Sequence, residues 1–151
     1  MINRSYDTNI ISFIIMLVIG MLFNPMNMLI YKLDDFYISL TLFYGGLLMA
    51  ANMIWAHEII HYISTGHYNI LLLIIGLSLS VSITLILLRG QLLIDDTQWL
   101  KRMISHHSTA ITTTTKIYNR TLNPKLKTLA TEIISTQERE ISQMKKMLKE
   151  S

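Results

Sequence analysis

The chain of 151 residues is 51% hydrophobic and only 15% charged, a balance that is unusual for a soluble domain. It contains no cysteine, which excludes disulfides, thiolate metal ligands and cysteine catalysis. The formal charge is −2 over residues 1–88 and +5 over residues 89–151, and a basic part beside apolar stretches predicts a lipid bilayer as partner. No basic run alternates with aromatic residues, so we do not expect nucleic acid as a partner.

Three apolar stretches in the N-terminal part are long enough to cross a membrane as helices, since a span needs about 20 residues. We predict spans at about 10–31, 36–63 and 70–88, within a membrane domain of residues 1–89. Pro25 is expected to kink the first span. We interpret that stretch as a span and not as a cleaved signal peptide, because Asp7 offsets Arg4 and no small-residue cleavage site follows.

Short connections between these stretches predict three antiparallel spans. The polar link Tyr31–Asp35 and the C-terminal part should then share one side of the membrane, and the turn Ser64–Asn69 should lie on the other. Most basic residues near the spans belong to the side of the C-terminal part, namely Lys32, Arg89, Lys101 and Arg102. The positive-inside rule therefore predicts a cytosolic C-terminal part.

From Asp95 onward the hydrophobic period becomes that of amphipathic helices. We predict one helix over about 95–118, with Asp95 or Asp96 as N-cap, and a second over about 124–148, with Asn123 as N-cap and Pro124 at its first position. The fold class is thus all-α, with residues 90–151 forming an antiparallel helical hairpin. A lone hairpin buries little core, so we expect it to pair with a second copy into a four-helix bundle as a homo-oligomer.

The apolar seams of both predicted helices are interrupted by polar residues at one level. If the turn is centred near residue 121 or 122, Met103 faces Glu140 and His106 faces Gln137. One interpretation is a structural polar layer, in which a histidine and an amide or carboxylate bond to each other and fix the register.

The other interpretation of this level is a transition-metal site. Imidazole with thioether suits copper, whereas imidazole with carboxylate suits zinc or iron. The candidate ligands are Met103, His106, His107, Glu140 and Met144, with Asp96 and Gln137 as weaker candidates.

A second motif, His57-Glu58-Ile59-Ile60-His61, matches the H-E-x-x-H pattern of zinc proteases. A third ligand is required, and His67 is the only nearby candidate. The residues also fit an interfacial position, where ionisable groups reach water cheaply, so we do not predict an enzyme. Met49, Met53, His57 and His61 recur every four residues, a ladder that could hold Cu(I) or simply pack against another helix.

Four motifs in the C-terminal third occur in the order and spacing of a known family. They are Asp96-x-x-Trp99, Met103-Ile104-x-His106-His107-x-x-Ala110-Ile111, Leu129-Ala130-x-x-Ile133-Ile134 and Gln137-x-x-Glu140-Ile141-x-x-Met144. This third resembles the family called domain of unknown function 305, and three hydrophobic spans also precede the hairpin in a membrane-bound branch of that family.

The resemblance implies a ferritin-like helical fold, of which the hairpin is one half. Some soluble members are implicated in binding copper through methionine and histidine, and most members have no assigned activity. Many members have methionine where Thr113 stands and phenylalanine where Trp99 stands. The copper-binding members are exported, which differs from the cytosolic side that the charge distribution predicts.

Overall fold

A computed structural model describes residues 2–150 of the chain, with side chains from Ile10 onward, so Arg4 and Asp7 lie outside the described side chains. The described residues form helices and connections without strands, which confirms the all-α fold class. The helices are α1 (Ile2–Leu22), α2 (Pro25–Met28), α3 (Leu40–Thr65), α4 (Ile70–Ser82), α5 (Asp96–Arg120) and α6 (Pro124–Glu150). A single 3₁₀ turn spans Leu33–Asp35, and Ile83–Arg89 continues α4 as a π-helix.

The chain divides into two compact units. The apolar unit comprises the chain up to Phe23 together with Leu40–Leu93. The hairpin unit comprises the linker Asn24–Ser39 together with the chain from Ile94. This division differs from the predicted one, which assigned the linker to the membrane domain, because the linker packs against the hairpin.

In the apolar unit, α1 and α4 both pack against α3. The first predicted span is interrupted, because the side chain of Asn24 accepts a hydrogen bond from the backbone N–H of Asn27 and Pro25 begins the separate helix α2. Small residues allow close helix contacts: a Cβ atom at Gly46 would lie 2.7 Å from the carbonyl oxygen of Leu17, and one at Gly76 would lie 2.8 Å from the backbone nitrogen of Trp55.

By length and hydropathy, two stretches of the described chain could cross a membrane, Ile10–Met28 and Ile70–Arg89. The prediction of three spans is therefore not supported by this criterion. Helix α3 is long enough, but Asn52, His57, Glu58 and His61 lower its hydropathy. Buried core helices and N-terminal signal sequences can have the same length and hydropathy.

The hairpin unit is built around the antiparallel helices α5 and α6. The predicted caps are confirmed. The Asp95 side chain accepts a hydrogen bond from the backbone N–H of Gln98 at the start of α5. The Asn123 side chain accepts from the backbone N–H groups of Lys125 and Leu126, and Pro124 is the first residue of α6. The hairpin core consists of the buried residues Leu100, Ile104, Ile111, Ile141 and Met144, with Tyr37, Met103 and Leu148 packed against it. Tyr37 belongs to the linker, so the linker adds to the core of the hairpin.

Candidate functional site

His107 of α5 and Glu140 of α6 meet across the hairpin interface. Nε2 of His107 lies 2.8 Å from Oε2 of Glu140, and Nδ1 of His107 lies 2.8 Å from the carbonyl oxygen of Met103, one turn earlier. The His107 side chain is 12% exposed and that of Glu140 is 39% exposed. The pair therefore lies at the edge of the core, where solvent reaches the carboxylate.

The two acceptors around the His107 ring determine where its hydrogens lie. The carbonyl oxygen of Met103 can only accept, so Nδ1 carries a hydrogen. Nε2 faces Glu140, and this contact needs a proton between the nitrogen and the oxygen. Without that proton, a lone pair of Nε2 and one of the Glu140 carboxylate face each other, and a metal cation can bind in place of the proton. A histidine that ligates a metal usually donates its other N–H to a carbonyl or carboxylate, as Nδ1 does here.

Two methionines lie one helical turn from this pair. Because α5 and α6 are antiparallel, one turn back from His107 reaches Met103, and one turn forward from Glu140 reaches Met144. Met144 is buried in the core cluster, and Met103 packs against that cluster. The thioethers thus serve as core packing, and their softness also suits Cu(I).

The observed register differs from the predicted one. We expected Met103 opposite Glu140, whereas His107 occupies that position. The turn between Arg120 and Pro124 is centred at residue 122, as predicted, so the difference is an offset of the two helices along each other and not a shift of the turn.

His106 is not opposite Gln137; its side chain is exposed, and its ring lies edge-on to that of His107 with centroids 5.9 Å apart. Partial burial, followed by the positive charges of Arg102 and His107, lowers the pKa of His106 below its ordinary value. Its imidazole is therefore neutral at neutral pH and keeps a lone pair.

The remaining predicted ligands are less well placed. Asp96 is exposed in the first turn of α5, and Gln137 is half-buried on α6. Neither is hydrogen-bonded to the His107–Glu140 pair within the described part of the chain. As the side chains stand, residues 10–150 contain no group of three histidine, aspartate or glutamate side chains that could hold a metal ion. The structure therefore brings together His107 and Glu140, with the two methionines one turn away.

A buried carboxylate that the sequence analysis did not single out joins the linker to both hairpin helices. Asp35 is 2% exposed, and its Oδ1 lies 2.5 Å from Nζ of Lys145 on α6. Its Oδ2 accepts a hydrogen bond of 2.7 Å from the hydroxyl of Ser108 on α5, and its carbonyl oxygen accepts one of 2.8 Å from the hydroxyl of Ser105. The charge of Asp35 is thus compensated by Lys145 and solvated by the hydroxyl of Ser108.

Ser105 and Ser108 also accept hydrogen bonds from the linker. The backbone N–H of Tyr31 donates to Oγ of Ser108 at 2.9 Å, and that of Tyr37 donates to Oγ of Ser105 at 3.3 Å. These serines flank the histidine pair in sequence, so the linker holds the same turn of α5 that carries His107. The sequence feature that could have revealed these contacts is the pair of small hydroxyl residues among the apolar positions of α5.

The H-E-x-x-H motif lies at the C-terminal end of α3, in the apolar unit. The rings of His57 and His61 are stacked with centroids 6.4 Å apart. Glu58 is buried, and its Oε2 accepts a hydrogen bond of 2.7 Å from the backbone N–H of Asn69, the N-cap of α4. Met49 of the methionine–histidine ladder lies beside Gly20 of α1, where it packs the helices together.

Comparisons with known proteins give a family. The chain is 35% identical over 128 residues to the "Uncharacterized protein L153" of Acanthamoeba polyphaga mimivirus, covering 84% of this chain and 82% of that protein. Residues 92–150 match the family described as "Domain of unknown function (DUF305)". The chain belongs to the DUF305 family. No solved structure matches it.

The matched region contains the His107–Glu140 pair and both methionines but not the linker. The linker precedes residue 92, so this DUF305 domain takes its buried carboxylate, Asp35, from a segment outside the domain match. The match does not reach the apolar helices, so the three-span branch of the family stays a prediction.

Proposed function

We propose that this protein is a multi-pass membrane protein whose DUF305 hairpin binds a transition-metal ion of the copper class. The observation that carries the metal assignment is the His107 ring, with Nδ1–H donated to the Met103 carbonyl and Nε2 directed at Glu140. His107 and Glu140 are the primary ligands in this proposal. The thioethers of Met103 and Met144 are the soft ligands within reach of the same interface, and the neutral imidazole of His106 is a further candidate ligand.

The full-length, metal-free protein in detergent is the material for the test of metal binding. Titration with Cu(I), Cu(II) and Zn(II) should give a metal equivalent that His107→Gln and Glu140→Gln each weaken by more than about 100-fold, a larger effect than outer-shell changes usually have. Glu138→Gln is the matched control, because this exposed carboxylate is on the same helix and outside the proposed ligand set. Unchanged affinity and stoichiometry in His107→Gln would remove the metal proposal.

The membrane assignment is supported by the exposure of the apolar helices. In the most apolar 18-residue window of each stretch, only 6% of the residues of Ile10–Met28 and 17% of those of Ile70–Arg89 are buried within the protein. A core helix of a soluble protein would be mostly buried, whereas lipid can cover apolar side chains that face outward on all sides.

The contact between linker and hairpin supports an even number of crossings between them. Asp35 pairs with Lys145, so the linker and the hairpin lie on the same side of a membrane. The chain between them consists of α3 and of α4 with its π-helical continuation. If α4 crosses, the chain can return to the hairpin only when α3 crosses as well. We therefore assign a span to α3 despite its lower hydropathy.

Single cysteines can test this topology without background, because the chain has none of its own. We expect Asp34→Cys in the linker and Asn119→Cys near the hairpin turn to react with an impermeant thiol reagent from one side of sealed vesicles, and Ser64→Cys from the other. All three positions are exposed. By the positive-inside rule the first two should react from the cytosolic side. Labelling of Ser64→Cys from the same side as the other two would contradict the three-span arrangement.

A second candidate function is a structural or assembly role without metal. It is favoured by the complete satisfaction of the His107 ring by protein acceptors and by the packing of both methionines in the core. In this role the pair fixes the register of α5 against α6, and the hairpin can still associate with a second copy. The thermal stability of the protein would then be the same in chelator and in copper, whereas a bound metal raises it.

A further inference from the structure

Three of the five histidines of the chain are gathered at the turn between α3 and α4, far in sequence from the DUF305 domain. They are His57, His61 and His67. All three line one cavity of about 490 Å³, together with Glu58 and the first residues of α4. We propose that this turn is a second metal site, which takes a divalent ion of the zinc class through the three imidazoles.

The spacing of the three histidines is that of a known zinc ligand set. In the extended pattern H-E-x-x-H-x-x-G-x-x-H, the first two histidines share a helix face and a glycine turn brings the third back toward them. This chain has histidine at each of the three ligand positions, with Ser64 at the glycine position. The turn comes two residues later, at Gly66, whose φ of +75° is in the left-handed region that favours glycine.

The hydrogen bonds of the turn engage Nδ1 of His61 and of His67 and leave Nε2 of both rings available to a metal. Nδ1 of His61 lies 2.7 Å from the carbonyl oxygen of His67, and Nδ1 of His67 lies 2.8 Å from that of Thr65. A carbonyl oxygen only accepts, so each Nδ1 carries the hydrogen and each Nε2 has the lone pair. This outer bond to a carbonyl is the support that metal-ligating histidines usually have.

The contact between His61 and His67 also brings the two residues together across the turn. His57, one helical turn before His61, stacks on it with an angle of 24° between the rings. The three Nε2 atoms do not yet surround one point, and no group of three such ligands is assembled among the described side chains. Because all three side chains are exposed, rotation about their side-chain bonds can bring them to an ion without unfolding the turn.

The site is suited to binding and not to hydrolysis. Zinc proteases with this pattern use the glutamate as general base on the metal-bound water. Here Glu58 is buried, and its Oε2 is engaged by the backbone N–H of Asn69, which anchors the start of α4. A bound ion would therefore link the end of α3 to the turn before α4. This assignment does not depend on a metal in the hairpin.

The test uses the full-length, metal-free protein in detergent and Zn(II) alone as the probe. We expect the double variant His61→Gln/His67→Gln to lose one equivalent of Zn(II) relative to the wild type. The variant His107→Gln/Glu140→Gln should keep that equivalent, which separates this site from the hairpin. Ser64→Ala, at the exposed C-terminal end of α3, is the matched control and should bind as the wild type does.

Nuclear magnetic resonance of the unmutated protein provides a second measurement that does not depend on how a variant folds. Without metal, His61 and His67 should show the tautomer protonated at Nδ1, and Zn(II) should shift the ring resonances of all three histidines. The proposal is overturned if the double variant binds Zn(II) as the wild type does, or if Zn(II) leaves these resonances unchanged.

Discussion

Replacing Asp35 by asparagine is expected to lower the free energy of unfolding of the hairpin unit by roughly 3 kcal/mol, the lower end of the range for breaking a buried ion pair by removal of one partner. The amide keeps the shape of the side chain and can still accept from Ser108. It cannot compensate the charge of Lys145, which loses its 2.5 Å partner. The lower end of the range applies because the Lys145 side chain is 28% exposed and can recover some hydration.

Hydrogen exchange and thermal unfolding of the full-length protein in detergent would measure this effect. The amides of Tyr31 and Tyr37 donate to Ser108 and Ser105, so both should lose protection in Asp35→Asn. Asp34→Asn is the matched control, because the neighbouring carboxylate is exposed and its loss should change the stability by less than about 0.5 kcal/mol. Equal stability of the two variants would mean that the linker is not docked through Asp35.

A double variant separates loss of the pair from loss of one partner. Asp35→Leu/Lys145→Met removes both charges and leaves apolar groups that resemble the replaced ones in size. Exchanging a buried ion pair for apolar residues is often neutral or stabilising, so this variant should be more stable than Asp35→Asn. If it were less stable, the hydroxyl of Ser108 would be the dominant contact of the carboxylate.

The hairpin could be predicted from the sequence because its determinants are local. Asp95 and Asn123 cap helices through their own neighbouring backbone groups, and Pro124 has the fixed φ of a first helical residue. The polar level predicted in the two apolar seams included His107. Its pairing with Glu140 could not be predicted, because the offset of the two helices along each other depends on their packing and not on the position of the turn.

The role of the linker could not be predicted, because its partners are distant in sequence. Asp34 and Asp35 are adjacent carboxylates in a polar link, yet one is exposed and the other is buried against Lys145. The partners of Asp35 on α5 are about 70 residues away, and nothing in the local pattern relates them. A polar link between two apolar stretches is usually read as a solvated connection, and here it completes a core.

The apolar stretches were predicted by length and hydropathy, and those properties do not identify helix partners. Helix α3 is the one that both α1 and α4 contact, although only the stretches that contain α1 and α4 are apolar enough to be candidate spans. Gly46 of α3 allows the backbone of α1 to approach closely, and Gly76 of α4 allows the same against Trp55 of α3. Gly45 and Gly46 are adjacent glycines, but only Gly46 faces α1 at close range.

Replacing Gly46 by alanine should therefore destabilise the apolar unit by about 3 kcal/mol, the upper part of the range for overpacking. The added Cβ would lie 2.7 Å from the carbonyl oxygen of Leu17 and 2.7 Å from Cγ of Met21. The methionine can move aside because its side chain is flexible. The carbonyl belongs to the backbone of α1, so relief requires the two helices to separate.

The matched control is Gly45→Ala, where an added Cβ meets nothing within 4 Å. Alanine favours a helix over glycine by about 1 kcal/mol, so this variant should be at least as stable as the wild type. Both the unfolding temperature in detergent and the monodisperse fraction after purification should therefore fall in Gly46→Ala, and neither should fall in Gly45→Ala. If Gly46→Ala were as stable as Gly45→Ala, α1 could not approach α3 at Gly46. The exposed apolar face of α1 would then need another partner.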